Sequence, residues 1–111
     1  MNDLFIKNIN EIQRIEMSEI FYFTKCKHKT IAVTKDSSIE INNSLYSISA
    51  LLEKNTMFFR THKSYIVNIH KIQHISKFNN RTYNIKFKGI EDTVYCTQKN
   101  LNILTKRILI L

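Results

Sequence analysis

The chain has 111 residues, enough for one domain with a modest core and too few for a second regulatory module. Lysine and arginine total 17 against 9 aspartate and glutamate, a formal net charge of +8, which favours nucleic acid over an anionic membrane surface or an acidic protein as partner. With one glycine and no proline, the sequence excludes a glycine-rich phosphate-binding loop.

Targeting signals and cysteine motifs are missing from the sequence. No run approaches the roughly 18 apolar residues that a membrane-spanning helix needs. The amino terminus, MNDLFIKNINEIQ, lacks the basic and apolar regions of a signal peptide. Cys26 and Cys96 form no CxxC motif, so neither a disulfide framework nor a redox motif is indicated. We therefore expect a cytoplasmic protein without membrane contact.

The amino-terminal third is predicted to form short strands joined by polar turns. Alternating segments at Leu4–Lys7 and Ile12–Glu16 flank an asparagine-containing turn, which predicts a hairpin. Strands at Ile20–Phe23 and Thr30–Thr34 flank the basic segment Thr24–Lys29, which predicts a second hairpin with a cationic tip. A turn and a brief strand at residues 39–42 follow.

A single short helix is predicted after this strand. Ser44 is a good N-cap, and the residues after it are apolar at helical spacing: Leu45, Ile48, Leu51 and Leu52. Such a stripe is typical of a helix that packs on a core, so we assign this helix to the scaffold.

The central stretch from Met57 to Ile72, MFFRTHKSYIVNIHKI, alternates apolar and basic residues densely. Neither strand parity is purely apolar, which disfavours one uninterrupted strand. We predict a strand at Phe58–Arg60, a polar crossing at Thr61–Ser64 and a second strand at Tyr65–Asn68. Basic groups held on a loop by a rigid sheet suit a polyanion.

The remaining chain is predicted to form three strands and a helix. Strands at Ile72–Phe78 and Arg81–Lys88 flank the turn Asn79-Asn80, and the last strand is Thr93–Thr97. A helix from about Asn100 places one apolar stripe at Leu101, Leu104, Ile108 and Leu111. The fold class is therefore mainly β, with antiparallel sheets, one short scaffold helix and a carboxy-terminal helix.

The central stretch also carries a family resemblance. Residues 58–68, FFRTHKSYIVN, resemble the signature Phe-x-Arg-x-His-(Arg/Asn)-Ser-(Tyr/Phe)-(Leu/Val/Ile)-Val-Asn of the LytTR DNA-binding domain. Arg60, His62, Ser64, Val67 and Asn68 stand at the family spacing. A weaker resemblance runs from about residue 4 to about residue 104.

The resemblance implies an output domain of bacterial two-component systems, as in quorum-sensing regulators of the accessory-gene-regulator and autolysin-regulator type. Such domains read duplex DNA through loops of a β scaffold, at tandem direct repeats that bind a second copy. Residues 1–111 are then expected to be one LytTR-like domain, either a stand-alone regulator or a fragment of a receiver-containing one. The resemblance implies no enzymatic activity, cofactor, metal or small-molecule substrate.

The resemblance also implies roles for individual residues. Base contacts are expected from His28, Lys63 and Lys99. Phosphate contacts are expected from a larger set: Lys25, Lys27, Arg60, Ser64, Tyr95, Thr97 and Asn100. Some relatives have asparagine or arginine at the Lys63 position and arginine at the Lys99 position. Because lysine is a point charge where arginine forks across guanine, the preferred base at those positions is left open.

Three other functions are compatible with parts of the sequence. Zinc would need an irregular ligand set, His62, His70, His74 and Cys26, that fits no compact zinc pattern. A basic ribonuclease would use His28 and His62 as acid and base beside Lys63. A single-strand or RNA-binding module would stack bases on exposed aromatic residues, here Phe21, Tyr22, Phe23, Phe58, Phe59 and Tyr65. Most of those aromatics are needed for the core of so short a chain, so duplex DNA binding is favoured.

Overall fold

The computed structural model describes residues 2–111 as ten β-strands and two short α-helices. The strands are β1 Asp3–Lys7, β2 Ile12–Glu16, β3 Tyr22–Cys26, β4 Lys29–Val33, β5 Ser38–Ile41, β6 Phe58–His62, β7 Tyr65–Asn68, β8 Ile72–Lys77, β9 Thr82–Phe87 and β10 Thr93–Thr97. The helices are α1 Leu45–Leu51 and α2 Gln98–Leu104. The predicted fold class, antiparallel β with a scaffold helix and a carboxy-terminal helix, is confirmed.

The strands form three antiparallel sheets. β1 and β2 make a hairpin, β8, β9 and β10 make a sheet in the order β10-β9-β8, and the other five strands pair in the order β5-β4-β3-β7-β6. β3 and β7 lie at the centre of the five-stranded sheet, where Tyr22 pairs with Val67 and Thr24 with Tyr65. The β3–β4, β4–β5 and β6–β7 pairs of this sheet join strands that follow one another along the chain. The β3–β7 pair joins strands that are distant in the sequence.

The five-stranded sheet is buried on both faces because its central strands are apolar at both parities. Phe23 and Ile66 belong to a core formed with the β1–β2 hairpin and α1. Tyr22 and Val67, the next residues along the same strands, belong to a second core formed with the three-stranded sheet. The molecule is therefore layered, with the five-stranded sheet in the middle.

Both helices begin at a capping side chain. The Ser44 Oγ accepts a hydrogen bond from the Ser47 amide at 3.1 Å, as predicted for an N-cap. The second helix begins at Gln98, capped by Thr97, two residues before the predicted start at Asn100. The threonine hydroxyl extends the helix toward the strand, since it satisfies an amide that the first turn would leave unpaired.

Two predicted helix stripes extend further than the structure allows. Leu51 ends α1 with 76% of its surface exposed, so it does not share the buried side with Leu45 and Ile48. The second helix ends at Leu104, and Leu111 lies beyond it, fully exposed. Each helix has only 7 residues, so an apolar stripe of four positions exceeds its length.

Two strand boundaries also differ from the prediction. Thr24 to Cys26 continue β3, because Thr24, Lys25 and Cys26 all pair with β4, and the turn is reduced to Lys27 and His28. Thr61 and His62 belong to β6, whose pairing with β7 is interrupted by a bulge between Arg60 and His62. The bulge explains the mixed parity of the sequence, since it shifts the alternation by one residue.

Polar side chains with little exposure bond neighbouring parts of the fold. The Asn68 side chain is 1% exposed, donates to the Ile20 carbonyl at 2.8 Å and accepts from the His70 amide at 2.9 Å. The Tyr22 hydroxyl donates to the Asp92 carboxylate at 2.6 Å. Burial, and to a smaller extent this contact, raises the pKa of Tyr22.

Within residues 2–111, no helix is long and apolar enough to cross a membrane.

Candidate nucleic-acid interface

The β3–β4 turn projects a cluster of cations from the five-stranded sheet. Lys25, Lys27 and His28 are exposed, and Lys27 has a left-handed backbone with φ of 56°. Lys29 is held by Glu40, 2.5 Å from its Nζ. The Lys25 amide donates to the Ser64 carbonyl at 3.2 Å, which fixes this hairpin against the next turn.

The β6–β7 turn is closed by side chains of the central stretch. Arg60 donates from Nε to the His62 carbonyl at 3.0 Å and from Nη2 to the Lys63 carbonyl at 2.6 Å. The His62 Nδ1 accepts the Ser64 amide at 3.0 Å. Arg60 and His62 thus bond backbone groups of their own turn. The Lys63 side chain is exposed at the tip of this turn.

The electrostatics of this turn favour a neutral imidazole. Burial lowers the pKa of His62, and the nearby Lys63 and Arg60 lower it further. Burial also lowers the pKa of Arg60. A neutral His62 is what the bond from Ser64 requires, because Nδ1 can accept a hydrogen bond only when it carries no proton.

The junction between β10 and α2 is the third cationic segment, and its cation is Lys99. The Thr97 Oγ1 accepts from the Asn100 amide at 3.1 Å, and the Asn100 Nδ2 donates to the Thr61 carbonyl at 3.0 Å. The buried Thr61 hydroxyl in turn donates to the Tyr95 carbonyl at 2.8 Å. Lys99 lies exposed in the first turn of the helix.

The three segments lie at one end of the molecule. The β3–β7 register pairs Thr24 with Tyr65, so the β3–β4 and β6–β7 turns share one end of the five-stranded sheet. The two Thr61 bonds attach the β10–α2 junction beside the β6–β7 turn. The structure thus brings His28, Lys63 and Lys99 to neighbouring segments of a rigid scaffold.

Most acidic residues lie elsewhere in the fold. The β1–β2 hairpin and the following turn carry four of them, Asp3, Glu11, Glu16 and Glu19. Asp36 lies in the β4–β5 turn, and Glu91 and Asp92 lie in the β9–β10 loop. These last two connections are at the opposite ends of their sheets from the cationic turns, so their carboxylates are separated from the cationic turns along the strand direction.

The predicted phosphate contacts differ in how free their polar atoms are. Lys25 and Lys27 are exposed, whereas the polar groups of Arg60, Thr97 and Asn100 already bond within the protein. Ser64 is half-buried, and its backbone amide and carbonyl are both bonded. Tyr95 is 38% exposed and contacts the rings of Tyr65, His62 and Phe78.

Two features of this end were not predicted from the sequence. Thr61 connects the sheets, but its position in a polar stretch suggested a loop. The β8–β9 turn, with exposed Phe78 and Arg81, contacts the β10–α2 junction. The burial of Thr61 could not be read from the alternation, because the bulge after Arg60 shifts it by one residue. The position of the β8–β9 turn depends on contacts between distant residues, which no local pattern shows.

The alternative sites find little support in the geometry. Four of the six aromatics considered as stacking platforms are core residues, namely Phe21, Tyr22, Phe23 and Phe58. In the part of the chain that the structure describes, no three histidine, cysteine or acidic side chains gather as a metal site would require. The imidazole of His62 is engaged by the Ser64 amide, which leaves it poorly placed as a general base.

Comparison with known proteins gives a consistent result. The chain is 25% identical over 99 residues to the transcriptional regulatory protein NatR of Bacillus subtilis (strain 168), a match that covers 89% of this chain and 42% of that protein. The chain thus spans about two fifths of the length of this relative.

A solved structure has the same fold. The LytTr DNA-binding domain of a putative methyl-accepting/DNA response regulator from Bacillus cereus superposes with a TM-score of 0.79 at 21% identity, covering 96% of each chain. The family model of the LytTr DNA-binding domain matches residues 10–108, which include all three cationic segments. The chain belongs to the LytTR DNA-binding domain family, which is a family of DNA-binding domains and not of enzymes.

Proposed function

We propose that this domain is a sequence-specific, duplex-DNA-binding transcriptional regulator of the bacterial cytoplasm, with residues 1–111 acting as one unit. The observation that carries the proposal is the grouping of three cationic segments at one end of the β-sheets, where hydrogen bonds connect them. These segments are the β3–β4 turn, the β6–β7 turn and the β10–α2 junction. The name of the Bacillus subtilis relative, a transcriptional regulatory protein, supports the regulatory role.

Duplex DNA fits this surface better than a single strand. Sequence-tolerant binding of single strands relies on a series of exposed aromatic faces. Here Tyr22, Phe23 and Phe58 are buried in the two cores, and in the described part of the chain the exposed rings of this end are limited to Phe78 and the partly exposed Tyr95. Cations presented on separate turns can instead reach phosphates and base edges along a groove. The alternative of an RNA or single-strand module therefore remains secondary.

The proposed roles follow the exposure of the side chains. His28, Lys63 and Lys99 are exposed at the tips of the segments, and we assign them to base edges. The phosphate contacts are assigned to the surrounding residues, Lys25, Lys27, Arg60, Ser64, Tyr95, Thr97 and Asn100. Arg60 bonds the turn carbonyls through Nε and Nη2, so a phosphate would be met by its remaining N–H groups.

We further propose that two copies bind tandem direct repeats on bent DNA. Three contact segments on one rigid end would engage successive parts of the duplex, and bending would let all three reach their sites together. Electrophoretic mobility with the site permuted along a fragment measures the bend. Mobility independent of the position of the site would contradict bending.

Selection of bound duplexes from a random pool is the experiment that tests the function. Recovery of one motif, present twice in the same orientation, is the expected result. The recovered duplex should bind with a slope of log K against log salt near −4 to −5 if about five phosphates are neutralised. A slope near zero would refute duplex binding and favour an acidic protein as partner.

Single substitutions then separate the roles. His28→Ala, Lys63→Ala and Lys99→Ala should each weaken the selected duplex by roughly 1 to 3 kcal/mol and relax the preference at particular base pairs. Arg60→Ala should weaken all duplexes and reduce the salt slope by about one. Because Arg60 also closes the turn that presents Lys63, Lys27→Ala, at an exposed lysine, is the variant that should weaken all duplexes nearly equally. Lys54→Ala, at an exposed lysine after α1, is the matched control. Unchanged base preference in the first three variants would refute the assignment of base contacts.

A further inference from the structure

A fourth segment, the β8–β9 turn, is built into the cationic end. The amides of Phe78 and Asn79 both donate to the Thr82 carbonyl, at 3.0 and 3.1 Å, and the Asn79 Oδ1 accepts the Arg81 amide at 2.9 Å. The Gln98 amide donates to the Arg81 carbonyl at 2.9 Å. These bonds define the backbone of the turn and link it to Gln98, the residue that precedes Lys99.

Phe78 is the exposed apolar residue of this turn. Its side chain is 61% exposed, and its ring centroid lies 6.0 Å from that of Tyr95, with an interplanar angle of 37°. Tyr95 in turn contacts Tyr65 at 6.1 Å and His62 at 6.3 Å. A row of aromatic rings thus runs from the β6–β7 turn to Phe78.

This arrangement does not serve the hydrophobic core. Phe78 belongs to neither buried cluster, and it differs from other exposed apolar residues in lying among the cationic segments, with its ring against Tyr95. The aromatic row holds Phe78 in place beside residues that we assign to DNA. A fixed apolar group among cations is suited to a partner that offers an apolar patch within an anionic surface.

We propose that Phe78 is a specificity-determining residue that packs on the C5-methyl group of a thymine in the major groove. The inference rests on the proposed DNA-binding function. The Phe78 side chain has no polar atom, so it can distinguish base edges only by apolar contact, and the thymine methyl is the apolar group that distinguishes bases in the major groove. The contact of its ring with Tyr95 disfavours insertion between base pairs, which would need both faces of the ring to be free.

The test uses the duplex that the wild-type protein selects from a random pool, with each thymine in turn replaced by deoxyuridine, which lacks only the methyl group. Wild-type protein should bind about fourfold more weakly when the contacted methyl is removed, the factor for one methyl group returned to water. Phe78→Ala should bind the unmodified duplex more weakly and should be insensitive to the same replacement. Phe78→Leu, which keeps an apolar side chain, should retain part of the sensitivity.

Tyr46→Ala is the matched control, because Tyr46 is an aromatic residue, 78% exposed, on α1. It should leave both the affinity and the response to deoxyuridine unchanged. Circular dichroism of each variant establishes that the fold is intact.

The possible outcomes are distinct. If the wild-type protein selects no motif, the proposed function fails, and this inference fails with it. If a motif is selected but wild type and Phe78→Ala respond equally to deoxyuridine at every thymine, only the role of Phe78 is overturned. A loss of affinity in Phe78→Ala that is equal on all sequences would indicate a contact with sugars and would also overturn it.

Discussion

The hydrogen bonds of Thr61 join the two sheets at the site, and their removal gives a stringent test. Thr61 is fully buried, its hydroxyl donates to the Tyr95 carbonyl at 2.8 Å, and its carbonyl accepts from Asn100 at 3.0 Å. Thr61→Val keeps the shape of the side chain and leaves the Tyr95 carbonyl without this donor. Loss of one partner from a buried pair costs about 1 to 2 kcal/mol.

The expected loss is measurable by urea unfolding followed by circular dichroism. With a denaturant slope of about 1.5 kcal/mol/M for a small domain, the midpoint should fall by about 1 M. Asn100→Ala removes the second bond and should cost about 1 kcal/mol, since Asn100 is half-buried. The double variant should deviate from the sum by about 0.5 kcal/mol or more, because both bonds join the same elements.

Thr61→Val should also weaken DNA binding, although it removes neither a charge nor a group that we assign to DNA. Thr61→Val frees the β6–β7 turn to move relative to the β10–α2 junction, so Lys63 and Lys99 are no longer held in one geometry. Affinity for the selected duplex should fall more than affinity for random duplex. Thr93→Val, at an exposed position of β10, is the control. A midpoint within 0.2 M of wild type in Thr61→Val would refute the reasoning from hydrogen bonding.

Three further predictions concern the thiols, the pH dependence and metals. Cys26 is exposed between Lys25 and Lys27, whereas Cys96 is buried with its pKa raised to about 11 by burial, so a maleimide should modify only Cys26 in the native protein. The selected duplex should slow this reaction, and an equal rate with DNA, read by mass spectrometry, would place the β3–β4 turn outside the interface. Because the pKa of His62 is lowered in the folded state from 6.5, the unfolded chain binds the proton more readily, and the free energy of unfolding should fall as the pH drops through 6.5. Urea titrations at several pH values should show a smaller fall in His62→Asn, and equal slopes would contradict the assignment. Treatment with EDTA should change neither the circular dichroism nor the affinity, and loss of structure together with stoichiometric zinc would overturn that expectation.

Strand positions and the first helix cap were predictable because they depend on local patterns. Alternation located β1, β2 and β9, and the hydroxyl of Ser44 marked the start of α1. The register of the central stretch was not predictable. A bulge after Arg60 shifts the parity, so Thr61 is buried although the sequence around it is polar.

The grouping of the site depended on pairings between distant residues. The family signature pointed to Lys63, but the position of Lys99 beside it requires the bond from Asn100 to the Thr61 carbonyl, 39 residues apart. The role of Arg60 in closing the turn was also hidden, since a basic residue near other basic residues suggests a phosphate contact. A side chain that bonds the backbone of its own turn leaves no mark in composition or periodicity.

The central pairing of β3 with β7 has a consequence for how the chain folds. The other pairs of neighbouring strands are hairpins or close in sequence, whereas Tyr22 and Val67 must meet across most of the first two thirds of the chain. Closing so long a segment carries an entropic cost before any contact compensates for it. The hairpins can form from local contacts, and we therefore expect the docking of β7 on β3 to set the folding rate. Because the chain contains no proline, no prolyl isomerisation obscures that step, and the two cationic turns become neighbours only when it is complete.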